Sequence, residues 1–180
     1  MGKKEGNKII LLLDLKNIVI GISASPSPEK LPLTSIFDRL QRQITDEVGE
    51  IASVFVFTPD HLTSLEAEAL YQEGFLMVTA ILCPRVKIKE KLEGEPVKKR
   101  DTTDEILVEF IVEMTSLMPS ITHICLGSGD KDFVRAVRKA VRKRTKIMLA
   151  VGNLTSLSPE LAELANVNPL TGRKMIYNLS

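Results

Sequence analysis

Eight aspartates occur in the 180 residues, and five of them fall in three short stretches. Asp14-Leu15-Lys16-Asn17 follows an apolar run. Arg100-Asp101-Thr102-Thr103-Asp104-Glu105 leads into a helical pattern, and Gly127-Ser128-Gly129-Asp130-Lys131-Asp132-Phe133 follows a second apolar run. Carboxylates brought together repel one another, and a hard divalent cation is the common remedy. Mg²⁺ or Mn²⁺ held by a few carboxylates and waters suits phosphoryl chemistry, because it activates water and neutralises charge developing on phosphate. Each stretch also has a purely architectural reading. Asp14 opens a turn, Asn17 and Asp130 are N-cap types, and Thr102 with Glu105 has capping-box spacing. Asp104 and Asp132 then serve helix dipoles. The co-occurrence of all three stretches, rather than any one of them, favours a site.

The elements around these stretches alternate. Lys8 to Leu13 reads as a buried strand, and Ser23 to Pro32, with three prolines and several serines, as a loop. Leu33 to Val48 has helical apolar spacing, and Ile51 to Phe57 is β-branched and aromatic, a strand ended by Thr58-Pro59-Asp60. Leu62 to Gln72 reads as a short helix stopped near Gly74, and Phe75 to Leu82 as a third strand. Further on, Thr103 to Leu117 reads as a helix and Ile121 to Leu126 as a strand. A helix over Lys131 to Lys143 puts Phe133, Val134, Val137 and Val141 on one face. Lys146 to Val151 is a strand, Ser158 to Ala165 a short helix, and Met175 to Tyr177 an edge strand. This order predicts an α/β fold, a three-layer sandwich around a mostly parallel sheet of five or six strands, with residues 1–180 forming one domain. Strands apolar on both faces agree with that. In such sheets ligands bind beyond the carboxyl ends of the strands, near a topological switch point, which is where the aspartates lie.

Composition sets limits. Hydrophobic residues are 44% and charged residues 26%, the balance of a globular domain rather than a disordered chain. Net charge is +1, so a polyanion partner is not implied by the whole chain. Aromatics are 4% with no Trp, which argues against a base-stacking platform. Two cysteines do not make a disulfide framework, and Cys83 and Cys125 read as small buried hydrophobes. No apolar run reaches membrane-spanning length and no signal-type core is present. These features predict a cytoplasmic protein without a membrane partner. His61 and His123 have no second His or Cys at metal spacing and read as capping or partly buried residues.

Charge is unevenly distributed. Residues 85–100 hold seven basic and three acidic side chains and read as a basic loop or ribbon, with Gly94 able to turn a hairpin. Residues 131–146 hold eight basic side chains against Asp132. Both segments could track a nucleic-acid backbone, although a basic run is ordinarily a solvated helix face.

The combination resembles the NYN family of PIN-like nucleases over roughly Lys8 to Tyr177. Ser128-Gly129-Asp130-Lys131-Asp132-Phe133 is similar to the family's S-G-D-x-D-F signature, and Asp14 with Asn17 to its D-x-x-N element. Lys99 to Leu107 resembles the basic-acidic lead into a helix, and Leu157-Ser158-Pro159-Glu160-Leu161 the late S-x-E-L stretch. Leu15 and Lys16 stand where the family usually has a small Gly. The resemblance implies a PIN-like sandwich and a metal-dependent endoribonuclease acting on RNA. Asp14, Asp104, Asp130 and Asp132 would be the catalytic, Mg²⁺- or Mn²⁺-binding carboxylates. Asp101 competes with Asp104 for the third place, and Leu107 at the expected distance favours Asp104. Asn17, Ser128, Lys98, Lys99, Arg100, Lys131 and Arg135 would contact or orient the substrate. In-line attack of an activated water would leave a 5′-phosphate and a 3′-hydroxyl. A homodimer is also open.

The main rival is a non-catalytic RNA-binding or scaffold module on the same fold, but binding phosphate needs no carboxylate cluster. A Rossmann-type nucleotide binder wants a third Gly after the strand, and the segment from Gly127 to Asp132 offers acids there instead. A haloacid-dehalogenase-type phosphotransferase wants Asp at position 16, which is Lys16, and a Toprim nuclease wants Glu at position 14, which is Asp14.

Overall fold

The structure is a computed structural model that describes residues 6–26, 31–59, 78–87 and 99–180. Six strands form one parallel sheet: β1 (Lys8–Asp14), β2 (Glu50–Pro59), β3 (Val78–Cys83), β6 (His123–Gly127), β7 (Lys146–Val151) and β8 (Ile176–Asn178). Their order is β3-β2-β1-β6-β7-β8. Two short strands, β4 (Arg85–Lys87) and β5 (Lys99–Asp101), form a separate antiparallel ribbon. The helices are α1 (Leu15–Ser23), α2 (Leu33–Glu47), α3 (Thr103–Leu117), α4 (Val134–Arg142) and α5 (Pro159–Leu164).

The central strand explains the layering. Ile9 to Leu13 on β1 are each at most 1% exposed. Alternate side chains go to opposite faces of a strand. Ile9, Leu11 and Leu13 join one core with α1 and α2. Ile10 and Leu12 join the other with α3, α4 and α5. Burial on both faces is why the strand is apolar without alternation. Each such side chain contributes roughly 1.5–3 kcal/mol, so β1 anchors both cores. The chain runs outward from β1 through β2 to β3, then crosses back to place β6 on the other side of β1. The switch point therefore lies between β1 and β6, with Asp14 at the end of one strand and Gly127 at the end of the other.

The three-layer sandwich and six parallel strands agree with the sequence expectation. Four local expectations change. β2 does not break at Thr58; Thr58 and Pro59 continue the ladder opposite Leu82 and Cys83. Residues 15–23 form α1, although Ile18, Val19, Ile20 and Ile22 are β-branched and favour strand. The helix forms because Leu15, Ile18 and Gly21 share a buried face and Asp14 caps it. The expected helix over 131–143 is a 3₁₀ turn at Lys131–Phe133 followed by α4, and Val141 faces solvent while Ala136 and Ala140 fill the core face. The last strand is Ile176–Asn178, one residue later than expected, and it does lie at the edge beside β7. β4 and β5 lie at the two ends of the basic segment, with Lys87 opposite Lys99. The helix expected at Leu62 to Gln72, the stop at Gly74, His61, Lys98 and the hairpin tip at Gly94 lie outside the described residues. Among the described residues no helix is long and apolar enough to cross a membrane.

α1 seats on the sheet through two glycines. A Cβ on Gly152 would collide with the Ile18 carbonyl oxygen, and one on Gly21 would fall 2.9 Å from the Gly152 Cα. Backbone touches backbone there, so no side chain can yield. Gly152→Ala is expected to destabilise the protein by ~1–3 kcal/mol. A thermal melt followed by circular dichroism should register this as a fall of roughly 2–4 °C for each kcal/mol. An unchanged melting temperature would mean that α1 does not sit against β7 in this way.

Candidate active site

Each acidic stretch is held by an element that ends at the switch point. Asp14 closes β1 and caps α1, its Oδ1 accepting from the Asn17 N–H at 3.0 Å. Asp130 follows β6 and caps the 3₁₀ turn, its Oδ1 accepting from the Asp132 N–H at 3.0 Å. The architectural reading of these two aspartates is thus correct, and it does not exclude a site. Capping occupies one carboxylate oxygen and leaves the other.

The capping box expected of Thr102 and Glu105 does not form. The Thr102 hydroxyl donates to the Pro84 carbonyl at 2.6 Å, and Glu105 is held by the Arg100 guanidinium. Asp101 takes over the start of α3. Its Oδ1 accepts from the Thr103 N–H at 2.9 Å and the Thr103 hydroxyl at 2.6 Å, and its Oδ2 pairs with Lys16 Nζ at 3.5 Å. Both Asp101 oxygens thus have protein partners, and Asp101 is not one of the three mutually close carboxylates. Asp104, in the first turn of α3, is left open to the site.

Asp104, Asp130 and Asp132 converge: one carboxylate oxygen from each lies within 4.8 Å of the others. Asp104 and Asp132 are exposed and Asp130 is half-buried, so the cluster is open to solvent. Asp14 stands deeper, at 6% exposure, and is not one of the three mutually close groups. Burial pushes its carboxyl up to about 6, with Asp104 and Asp101 adding repulsion against the Asn17 hydrogen bond and the Lys16 ammonium. Burial, then the charges of Asp130, Asp101 and Asp132, also raises Asp104. Asp101 differs. Burial alone would raise it, but the Thr103 hydrogen bonds and Lys16 together hold it below the usual carboxylate range.

The other expected site residues divide into two groups. Ser128 is fully buried, and its hydroxyl accepts from the Asp130 N–H at 3.3 Å. Asn17 Oδ1 accepts from the Gly129 N–H at 3.3 Å, tying α1 to the loop after β6. Both hydrogen bonds hold the loop that carries Asp130. Lys131 and Arg135 are exposed on the 3₁₀ turn and the first turn of α4, beside Asp130 and Asp132. Arg100 is committed to Glu105, and Lys99 pairs opposite Lys87 in the ribbon. Gly129 makes the loop possible. A Cβ there would collide with the Ser156 carbonyl oxygen, while its own carbonyl accepts from the Ser158 N–H at 2.9 Å. Ser158 in turn caps α5 through the Leu161 N–H at 3.2 Å, so the late serine supports the site from behind. Lys16 is the residue that sequence reasoning undervalued. It was only a departure from an expected Gly, yet it is the cation that faces Asp101 and offsets Asp14 and Asp104.

The donor set suits a hard divalent cation. Three carboxylates converge with no imidazole or thiolate among them, which favours Mg²⁺ or Mn²⁺ over zinc. A parallel sandwich with such a cluster at its switch point defines a PIN-like domain. The chain belongs to the NYN domain family, whose model matches residues 8–167. No curated protein matches the sequence. In architecture the chain is similar to a solved protein of unknown function from Vibrio parahaemolyticus, with a TM-score of 0.60 and 18% identity over 92% of this chain and 93% of that one. A nicotinamidase from Staphylococcus aureus aligns over 84% of this chain and 82% of that one, at 13% identity and a TM-score of 0.33.

The elevated Asp14 carboxyl has a measurable consequence. Its folded form keeps a proton to higher pH than the unfolded chain does. Stability from this group is therefore full below about pH 4 and falls as pH rises through about 6. Asp14→Asn removes the buried charge and keeps an oxygen for the Asn17 N–H. It is expected to stabilise the metal-free protein at pH 7 by about 1–3 kcal/mol and to flatten the stability profile between pH 4 and 6. Urea titrations with EDTA across that range test it; a less stable variant at pH 7 would refute the burial argument.

Proposed function

We propose that this chain is a metal-dependent endoribonuclease. The observation that carries the reading is the convergence of Asp104, Asp130 and Asp132 within 4.8 Å at the sheet's switch point. Membership of the NYN family supports it. Asp104, Asp130 and Asp132 would hold the cation, with Asp14 behind them reaching it directly or through water. Bound there, Mg²⁺ or Mn²⁺ would lower the pKa of a water and neutralise charge developing on the phosphate. Lys131 and Arg135 flank the carboxylates with exposed positive charge and would hold the phosphates next to the scissile bond. Asn17 and Ser128 fix the loop that carries Asp130. Lys16 limits repulsion among the acids while the cation is absent. No His or Tyr is required, and none of the described residues near the cluster is one.

Labelled single-stranded and structured RNA, incubated with Mn²⁺ or Mg²⁺, gives the direct test. The wild type should cut, EDTA should stop it, and Asp130→Asn should lower the rate by at least about 100-fold. Calorimetric titration with Mn²⁺ should show binding to the wild type and marked weakening in the variant. A wild type that binds RNA tightly but never cuts it, with or without metal, would replace the nuclease by an RNA-binding module.

A further inference from the structure

α4 has two faces of unlike chemistry. Ala136, Val137 and Ala140 pack into the core, and Arg135, Arg138, Lys139 and Arg142 are exposed. At 3.6 residues per turn, those four side chains fall within about a third of the helix circumference. No acidic residue occurs from Phe133 to Lys146. An ordinary solvated face interleaves both signs, and like charges three and four apart weaken a helix. The helix dipole explains Lys139 and Arg142 in the last turn but not Arg135 in the first, where positive charge is unfavourable. The flanking helices do not neutralise the ridge. α3 and α5 pack against α4 and carry Glu109, Glu113, Glu160 and Glu163, all exposed. Yet no ion pair engages Arg135, Arg138, Lys139 or Arg142 among the described residues.

The position of the ridge gives it meaning. α4 begins directly after the 3₁₀ turn that carries Asp132, so the ridge starts at the carboxylate cluster and runs away from it. From Arg135 to Arg142 the helix rises roughly 10 Å. That is long enough to meet about two successive phosphates of one strand. We propose that the α4 ridge is a phosphate track that holds the RNA strand on one side of the cleavage site, so that the enzyme takes substrates extending several nucleotides past the scissile bond. This rests on the nuclease reading for what happens at the carboxylates, but the track itself is a binding surface and can be measured without cleavage.

The probe is a fluorescein-labelled 16-nucleotide oligouridine, bound in EDTA and followed by anisotropy over a salt series. Arg138→Gln with Arg142→Gln removes two charges at exposed positions and should leave the fold intact. Affinity near 150 mM salt should fall about tenfold, and the slope of log affinity against log salt should shrink by about 1.4, or 0.7 per lost phosphate contact. Arg138→Lys with Arg142→Lys should recover most of both, since Lys still serves a phosphate as a point charge. The control is Lys8→Ala with Arg42→Ala, which removes the same net charge from the amino end of β1 and from α2 across the sheet. An unchanged affinity and slope in the Gln pair, or an equal loss in the control, would overturn the track. If the wild type never cuts RNA but the Gln pair still loses affinity and slope, the track stands and the nuclease reading falls. If it cuts while the Gln pair binds as before, the reverse holds.

Discussion

Repulsion among carboxylates is the constraint on which this structure depends. Asp104, Asp130 and Asp132 converge within 4.8 Å, and Asp14 and Asp101 stand close enough to add to the strain. Nothing in the hydrophobic effect would gather them. They are gathered because three elements end at one place: β1, β6 and the entry to α3. Two strongly apolar cores fix those elements. The charge is then moderated locally, by N–H donors at Asn17, Thr103 and Asp132 and by the Lys16 ammonium. The moderation is incomplete, since Asp14 and Asp104 remain raised. A divalent cation at Asp104, Asp130 and Asp132 would relieve that repulsion.

Asp130 both caps a turn and joins the cluster, and Asp14 caps α1 behind it. Asp14 and Asp130 each accept an N–H from the turn they start, which orients the carboxyl group and leaves an oxygen available. Capping is therefore part of how the site is built. Asp101 shows the alternative outcome. It accepts two hydrogen bonds from Thr103 on one oxygen and faces Lys16 with the other. What separates a structural aspartate from a candidate ligand here is the number of protein donors already facing it. The glycines work to the same end: Gly129 admits the Ser156 carbonyl where a side chain would displace it, and so keeps the Asp130 loop against the α5 entry.

Much of this was legible in the order of residues. The alternation of apolar runs and helical spacing gave the parallel sandwich, because strands covered on both faces must be apolar throughout. The strand-end rule then pointed to the three acidic stretches. The local errors share a cause. α1 is hidden because Ile18, Val19, Ile20 and Ile22 favour strand by propensity, and the Asp14 cap with the buried face of Leu15, Ile18 and Gly21 makes them helical. The Thr102 capping box failed because Pro84, from a distant segment, claimed the hydroxyl. Periodicity alone puts Val141 in the core, but Phe133, Ala136, Val137 and Ala140 already make up the buried face and Val141 falls at its edge.

By itself the sequence determined the class of fold, the five aspartates worth examining and the chemistry of the cation they would suit. These depend on residue type and short-range spacing. The tertiary structure decided which carboxylates meet, that Asp104 rather than Asp101 joins Asp130 and Asp132, and that Lys16 is their counter-charge. It also set the basic face of α4 at the edge of the cluster. Distances between residues remote in the chain follow from how two cores pack around β1, and no local pattern encodes that packing.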